Sequence, residues 1–518
     1  MVAAGIFLSR ILGLVRNRVF AHYFGTSDAA DAFNAAFRIP NFLQNLFGEG
    51  VLSASFIPVY AGLRARGDET EARRIAGAVA ALLGLVTAAL VLLGVLATPW
   101  LIAVIAPGFE GEKRDATIHL VRILFPGAGL LVLSAWCLGV LNSHRRFFLS
   151  YAAPVLWNLA IIASLLAFGR GRGQYGLAEI AAWGSVVGSL LQLGVQLPTV
   201  LRLLDGTWPR LVRGSAQVQE VLRNFGPVFV GRGVVQISAY VDTVLASLLP
   251  TGAVAGLSYA QVLYTLPVSL FGMSVSAAEL PAMASAVVSE AERAAFLRNR
   301  LGAGLRQIAF FVVPSAMAFL ALGDVVAGAL YQSGAFTHPM TLYVWGILAG
   351  SAVGLLASTM GRLYASTYYA LHDTRTPLRF AVVRVVLTVG LGYLFALPLP
   401  RALGIDSHWG AAGLTASAGI AGWVEFALLR RALNARIGET GLPVLLTIRL
   451  WGAAAAGAGA AWGLRPVVPP GHPIAAAIVL LTVYGGVYFF LTDRLGVPEA
   501  AAVVRRLRPG EPRPGTAG

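Results

Sequence analysis

Only 12% of the 518 residues are charged, and 57% are hydrophobic. A soluble globular domain carries about twice that share of charge, so a soluble enzyme is excluded. Acid is scarce, with 24 carboxylates against 39 cations, and there are 7 histidines, scattered and mostly in loops. No HExxH, Walker or GxSxG motif occurs, and no carboxylates cluster as acid/base catalysis requires. Cysteine is a single residue, Cys137, inside an apolar run. It cannot form an internal disulfide, no metal-ligand pattern surrounds it, and it reads as packing. No polar stretch is long enough to hold an ATPase domain. The glycine-rich GRGRGQYG at 169–176 follows no strand, so its phosphate-loop reading is weak. The first apolar run is interrupted by arginines and has no cleavage signature, so it reads as a membrane helix and not as a removable signal.

What fills the chain is apolar helix. Mean hydropathy is +0.73, and about fourteen runs reach the roughly 20 residues needed to cross a bilayer. Glycine is abundant, at 59, as expected where helices pack closely in lipid. The net charge of +15 sits in short loops between the runs, which is a topology signal and no mark of nucleic-acid binding. Loops after every second run, with the tail, hold 23 arginines; the opposite loops hold Lys113, Arg114, Arg170, Arg172, Arg401 and Arg465. Both termini are therefore expected in the cytoplasm.

The chain repeats itself. FRIPNFLQNLFGEGVLSASFIP in the second run is answered by LYTLPVSLFGMSVSAAELP in the eighth, and Pro40 and Pro267 stand in register. LNSHRRFF at 141 matches LHDTRTPL at 371, and APGF at 106 has a looser echo in QSGAF at 332. An even number of spans per copy makes the copies parallel, enclosing a central cavity that opens alternately to each side. The expected fold is an all-α polytopic membrane protein of about 14 transmembrane helices. Two parallel six-helix repeats surround the cavity, and two extra helices follow. The expected divisions are residues 1–205, 215–437 and 440–493, with a basic, disordered cytoplasmic tail at 494–518. Pro40 and Pro267 are expected to kink their helices.

A charge at the centre of a membrane helix costs roughly 2.5 kcal/mol or more. The first two runs nevertheless carry Arg10, Arg16, Arg18, Asp31, Arg38 and Glu49. Arg18, near His22 and Tyr23, reads as an interfacial side chain. Arg10 and Arg16 read as inward-facing. Six residues apart, they point about 120° from each other with roughly 9 Å of rise, and Gly13 between them allows a bend that lets both reach one extended anion. Arginine suits that task because its fork binds phosphate oxygens and keeps its charge. Asp31 either pairs with one of these arginines or caps its helix. Asn41 either faces the cavity or bonds the backbone freed by Pro40. Glu49, between Gly48 and Gly50, sits where the helix can bend. In the second half Arg232 falls about 7 Å nearer the cytoplasm than Arg10 by the repeat offset. It either lines the inner mouth of the cavity or snorkels.

Several stretches carry a resemblance: SRILGLVR at 9–16, DAFNAAFRIPNFLQNLFGEG at 31–50 with SFIPVY after it, APGF at 106–109, and LNSHRRF…APVLWN over 141–158. The chain resembles the bacterial MurJ (MviN) lipid II flippases of the MOP transporter superfamily over nearly its whole length. The resemblance implies a multi-pass inner-membrane flippase, not an enzyme. Its implied cargo, lipid II, is the undecaprenyl-pyrophosphate-linked peptidoglycan precursor, and its task in cell-wall biogenesis is to carry this from the inner to the outer leaflet. Ser9, Arg10, Arg16, Asp31, Asn41 and Glu49 match family cavity or hinge positions. Gln44 and Val262 stand where members carry arginines. Some members bind sodium, and Asp242 is a weak ligand candidate here, since the eleventh span offers no carboxylate. No cofactor is expected. The drive is expected from membrane potential or a monovalent cation, and the partners are lipid II, membrane lipids and cell-wall synthesis proteins, with a monomeric protein. A flippase for another polyprenyl-linked oligosaccharide needs the same cationic site. A multidrug exporter of the superfamily fits the arginine-rich first spans less well.

Overall fold

The computed structural model describes residues 2–206, 210, 215–284, 290–468 and 471–501, with side chains except at 2–6, 49, 50, 54, 216, 226–239, 290 and 291. Among them regular structure is helical, apart from one isolated bridge between Ser333 and Phe336. Twelve helices are long and apolar enough to cross a membrane. Two further helices have the length, α1 (Val2–Phe24), which holds Arg10, Arg16 and Arg18, and α9 (Ala216–Ser247). The count of fourteen rests on these two. The tail beyond residue 501, expected to be disordered, lies outside the described residues.

By contact the chain forms two compact units, residues 1–255 with 333–337, and residues 256–332 with 338–518. In the first, α1 is followed by α2 (Asp28–Phe47), α3 (Glu49–Ser55), α4 (Ile57–Ala65), α5 (Glu69–Ile105), α6 (Gly111–Ser143), α7 (Phe147–Phe168), α8 (Gln174–Leu203) and α9. Helix α6 is the most enclosed, because Gly127 and Gly129 let α8 and α5 come close. Its Ser134 donates to Gln196 at 2.7 Å and accepts from Gln192 at 2.9 Å, tying α6 to α8 by buried hydrogen bonds. Leu46, Phe56, Tyr60, Ile75, Trp136 and Val140 fill the core between α2 and α6. Leu92, Leu96 and Trp100 on α5 stay exposed, the face expected to meet lipid.

The first proline helix runs unbroken through Pro40 and breaks eight residues later, at Gly48. A Cβ on Gly48 would strike the Gln44 carbonyl oxygen, so the break needs glycine. In the second copy α10 (Ala253–Pro267) passes into a π-helical turn, Val268–Met273, before α11 (Ser274–Ala284). Here the irregularity starts directly after the proline.

Two glycine loops dock inside the first unit. Gly108 of APGF donates its N–H to Ser247 at the end of α9 (3.3 Å), and Ala335 of QSGAF donates to the His22 carbonyl near the end of α1 (2.8 Å). A Cβ on Gly108 would strike the Ser247–Leu248 backbone, and one on Gly334 would strike His22. The two echoing motifs thus seat against matching places, the end of each repeat's first helix.

The second unit continues with α12 (Glu290–Ala321), α13 (Gly323–Tyr331), α14 (His338–Ala370), α15 (Arg375–Ala396), α16 (Pro398–Ala402), α17 (Gly410–Ile437), α18 (Val444–Leu464) and α19 (Pro473–Arg494). Gly354 and Gly419 bring α14 and α17 so close that a Cβ on either would meet the other's backbone. Pro314 removes the N–H that would bond the Phe310 carbonyl four residues back. Tyr488 of α19 supplies the replacement, donating to that carbonyl at 2.6 Å, while Tyr484 donates to Pro314 O at 2.6 Å. Arg465 pairs with Asp324 at 2.8 Å and lies over Trp462. The two last helices are therefore fastened to α12 and α13.

Candidate functional site

The candidate residues of the first half lie on α1, along α2 and, for Glu49, at the start of α3, all within the first unit. Ser9 and Arg16 are partly buried, and Arg10 is exposed. The Arg16 guanidinium lies 4.8 Å from the centre of the Trp157 ring on α7 and donates to the side chain of Asn17 at 3.0 Å. Among the described residues no carboxylate pairs with it. Asn41 is partly buried and makes no hydrogen bond among the described residues, so it does not cover the backbone freed by Pro40. The side chains of Glu49 and Arg232 lie outside the described residues. Gln44 and Val262 are both partly buried.

Asp31 has other company than the α1 arginines. It is 1% exposed and accepts from Lys113 Nζ at 2.8 Å, from Gly252 N–H at 2.7 Å and from Ala255 N–H at 2.8 Å. It does cap a helix, but the helix is α10 and not its own. Its own is capped by Ser27, which accepts from Ala30 N–H. Lys113 also holds Asp28 at 2.8 Å, and Asp28 accepts from Thr251 at 2.8 Å. Lys113 at the start of α6 thus clasps the start of α2 to the α9–α10 turn. Counting charges by loop made Lys113 a topology marker only. The available signal was that it is the one lysine among 39 cations.

Arg38, also unassigned from the sequence, faces α9. It donates to Thr243 at 2.6 Å, its carbonyl accepts from Tyr240 at 2.7 Å, and it interacts electrostatically with Asp242. The sodium-ligand candidate thus has a guanidinium beside it. Among the described residues no group of three or more His, Cys, Asp or Glu is arranged to hold a metal ion. A separate cleft of about 560 Å³ is lined by Glu112, Asp115, His119, Tyr175 and Glu179. Its carboxylates are unsuited to an anion and it contains none of the arginines. Chemically, the α1 face offers a cationic fork beside an aromatic plate, an arrangement suited to phosphate oxygens.

A model of the family described as "Lipid II flippase MurJ" matches residues 20–481. A probable lipid II flippase MurJ of Rhizobium meliloti is 32% identical over 448 residues, 85% of this chain and 81% of that protein. The lipid II flippase MurJ of Burkholderia cenocepacia is 30% identical over 436 residues, 83% and 82% of the two chains. Among solved structures, a lipid II flippase MurJ in an inward closed conformation aligns with a TM-score of 0.78 at 23% identity, covering 95% of this chain and 98% of that one. An inward-facing multidrug resistance MATE family transporter of the MOP superfamily aligns at 0.68 and 17% identity, over 82% and 95%. At these identities the structural likenesses speak for the fold.

Proposed function

This chain belongs to the lipid II flippase MurJ family, and from that premise we propose that it carries lipid II from the inner to the outer leaflet by alternating access. The observation that carries the reading is Arg16, a partly buried cation on the arginine-rich first helix whose described partners are an aromatic ring and an amide. Holding such a charge in lipid is costly unless an anion uses it. The cargo's pyrophosphate is that anion. In this reading Arg10, Ser9 and Asn41 complete the binding face, with Glu49 beside the break at Gly48 and Arg232 answering from the second repeat. Residues 1–205 and 215–437 act as the two rocking lobes, with 440–493 as an appendix. Both termini face the cytoplasm, by the arginine bias of the loops.

No nucleotide-binding motif occurs in the sequence, so the drive is the membrane potential. Each negative charge moved outward releases about 2.3 kcal/mol per 100 mV, and a pyrophosphate with two charges gains roughly 5 kcal/mol. The protein acts as a monomer and needs no cofactor. The test is complementation of a bacterial strain depleted of its own lipid II flippase. The parent chain restores growth, while Arg16→Ala and Arg10→Ala abolish it although both variants reach the membrane. Growth supported by the double alanine variant would sink the assignment.

A further inference from the structure

We infer that Trp157 is a positioning residue for cargo binding, holding the Arg16 guanidinium over its indole so that the arginine stays charged, oriented and unneutralised. The inference rests on the reading of Arg16 as a pyrophosphate ligand.

A guanidinium at membrane depth needs compensation. A carboxylate partner would supply it, but would also occupy the N–H fork that an anionic cargo has to use. An aromatic face attracts the cation through its ring quadrupole. Unlike a carboxylate, it does not pair off the two-pronged fork of N–H donors that would bind phosphate oxygens. Asn17 takes one of them at 3.0 Å, and the others keep their geometry for phosphate oxygens. The arrangement is an anion-binding fork with a backing plate.

The plate is clamped from two helices, α2 and α8. Its Nε1–H donates to Ser185 of α8 at 3.2 Å. Phe37 of α2 stacks on it with centroids 5.8 Å apart and planes 29° from parallel. Gly188 of α8 lies so close to Trp157 that a Cβ there would strike its backbone. An indole held at its Nε1–H, at its ring by Phe37 and at its backbone by α8 cannot swing away with the arginine. Arg16 is thereby held to one position on α7, while among the described residues of its own helix only the Asn17 amide bonds to it.

The test uses the purified full-length chain in nanodiscs, with undecaprenyl pyrophosphate as anionic probe and undecaprenol as its uncharged control, titrated by native mass spectrometry. Trp157→Met fills the space without a π face, and Trp157→Phe keeps a smaller one. Trp157→Met is expected to weaken undecaprenyl pyrophosphate about tenfold and Trp157→Phe about threefold or less, with undecaprenol unchanged. In an Arg16→Ala background, Trp157→Met is expected to have no further effect. Thermal midpoints near the parent's show that both variants fold. The inference is overturned if Trp157→Met binds like the parent while Arg16→Ala is impaired. It is equally overturned if the Trp157 effect persists without Arg16, or weakens undecaprenol as much. Parent-like binding by Arg16→Ala would overturn the reading of Arg16 itself, and the role of Trp157 with it.

Discussion

Asp31 and Lys113 form a buried ion pair, 2% and 15% exposed at their side chains. Two charges taken from water cost several kcal/mol each, and their attraction offsets that only when the remaining lone pairs are met. Here Gly252 and Ala255 meet them. Removing one partner leaves the other buried and uncompensated. Lys113→Met is therefore expected to lose about 3 kcal/mol of stability, and Asp31→Asn a similar amount. The double variant should lose much less than the sum, since neither charge is then orphaned. Unfolding in mixed micelles measures all three; additive losses would show that the pair does not act as a unit. The loop-charge reading of Lys113 missed this role because a topology rule weighs charge by side of the membrane and says nothing about partners.

At the scale of elements, irregular backbone is covered locally or by a neighbour. Thr98 donates to Val95, whose carbonyl Pro99 leaves open, at 3.0 Å. Tyr488 does the same for Phe310 from another helix. The two docking loops depend on glycine. Gly334 stands at φ +56°, in the left-handed region, and has no room for a Cβ. Gly334→Ala is expected to cost about 1–2 kcal/mol or more, from the left-handed backbone and the collision with His22. Gly108→Ala should cost a similar amount from collision alone; a parent-like thermal midpoint in either variant would count against the docking.

The LHDTRT loop gives a pH signature. Asp373 caps α15 by accepting from the Arg375 and Thr376 N–H groups, at 3.1 and 3.0 Å, and from the Thr376 hydroxyl at 2.7 Å. It also pairs with Arg436 at 2.7 Å. The Thr376 bonds first, and Arg436 second, hold its carboxyl down to about 2. A depressed carboxylate adds stability that is complete above its ordinary value near 4 and is lost as pH falls toward 2. The parent should thus lose stability below about pH 4 more steeply than Asp373→Asn, and the two should run parallel between pH 5 and 7. Thermal midpoints across that range check the sign.

For the whole molecule, transport driven by potential predicts that collapsing the potential stops export and holds the chain in one orientation. Single cysteines at Ser9 and Asn41 report this by their labelling, in a Cys137→Ala background that removes the one native thiol. Labelling that ignores an uncoupler would contradict potential as the drive and point to an ion gradient. The wild-type thiol is buried, so its replacement by alanine removes a background signal at small cost.

Membrane residence, helical class and family were readable in the sequence, because each rests on quantities local to the chain. Hydropathy accumulates over about 20 adjacent residues, and a repeat shows itself as a constant offset between motifs such as APGF and QSGAF. The helix break at Gly48 was readable for the same reason, as a glycine beside Glu49 where the run could bend. Partners were not. Asp31 had two open readings, a pair with an α1 arginine or a cap on its own helix, and the structure gives it neither: it meets Lys113 and the N–H groups of a helix more than 220 residues away. Arg16 meets Trp157, and Arg38 meets Thr243, because α1 packs on α7 and α2 packs on α9. Which helices become neighbours is decided by where small residues permit close approach and where a buried polar atom finds its complement. These conditions are satisfied by pairs of elements jointly, so only the tertiary structure selects them.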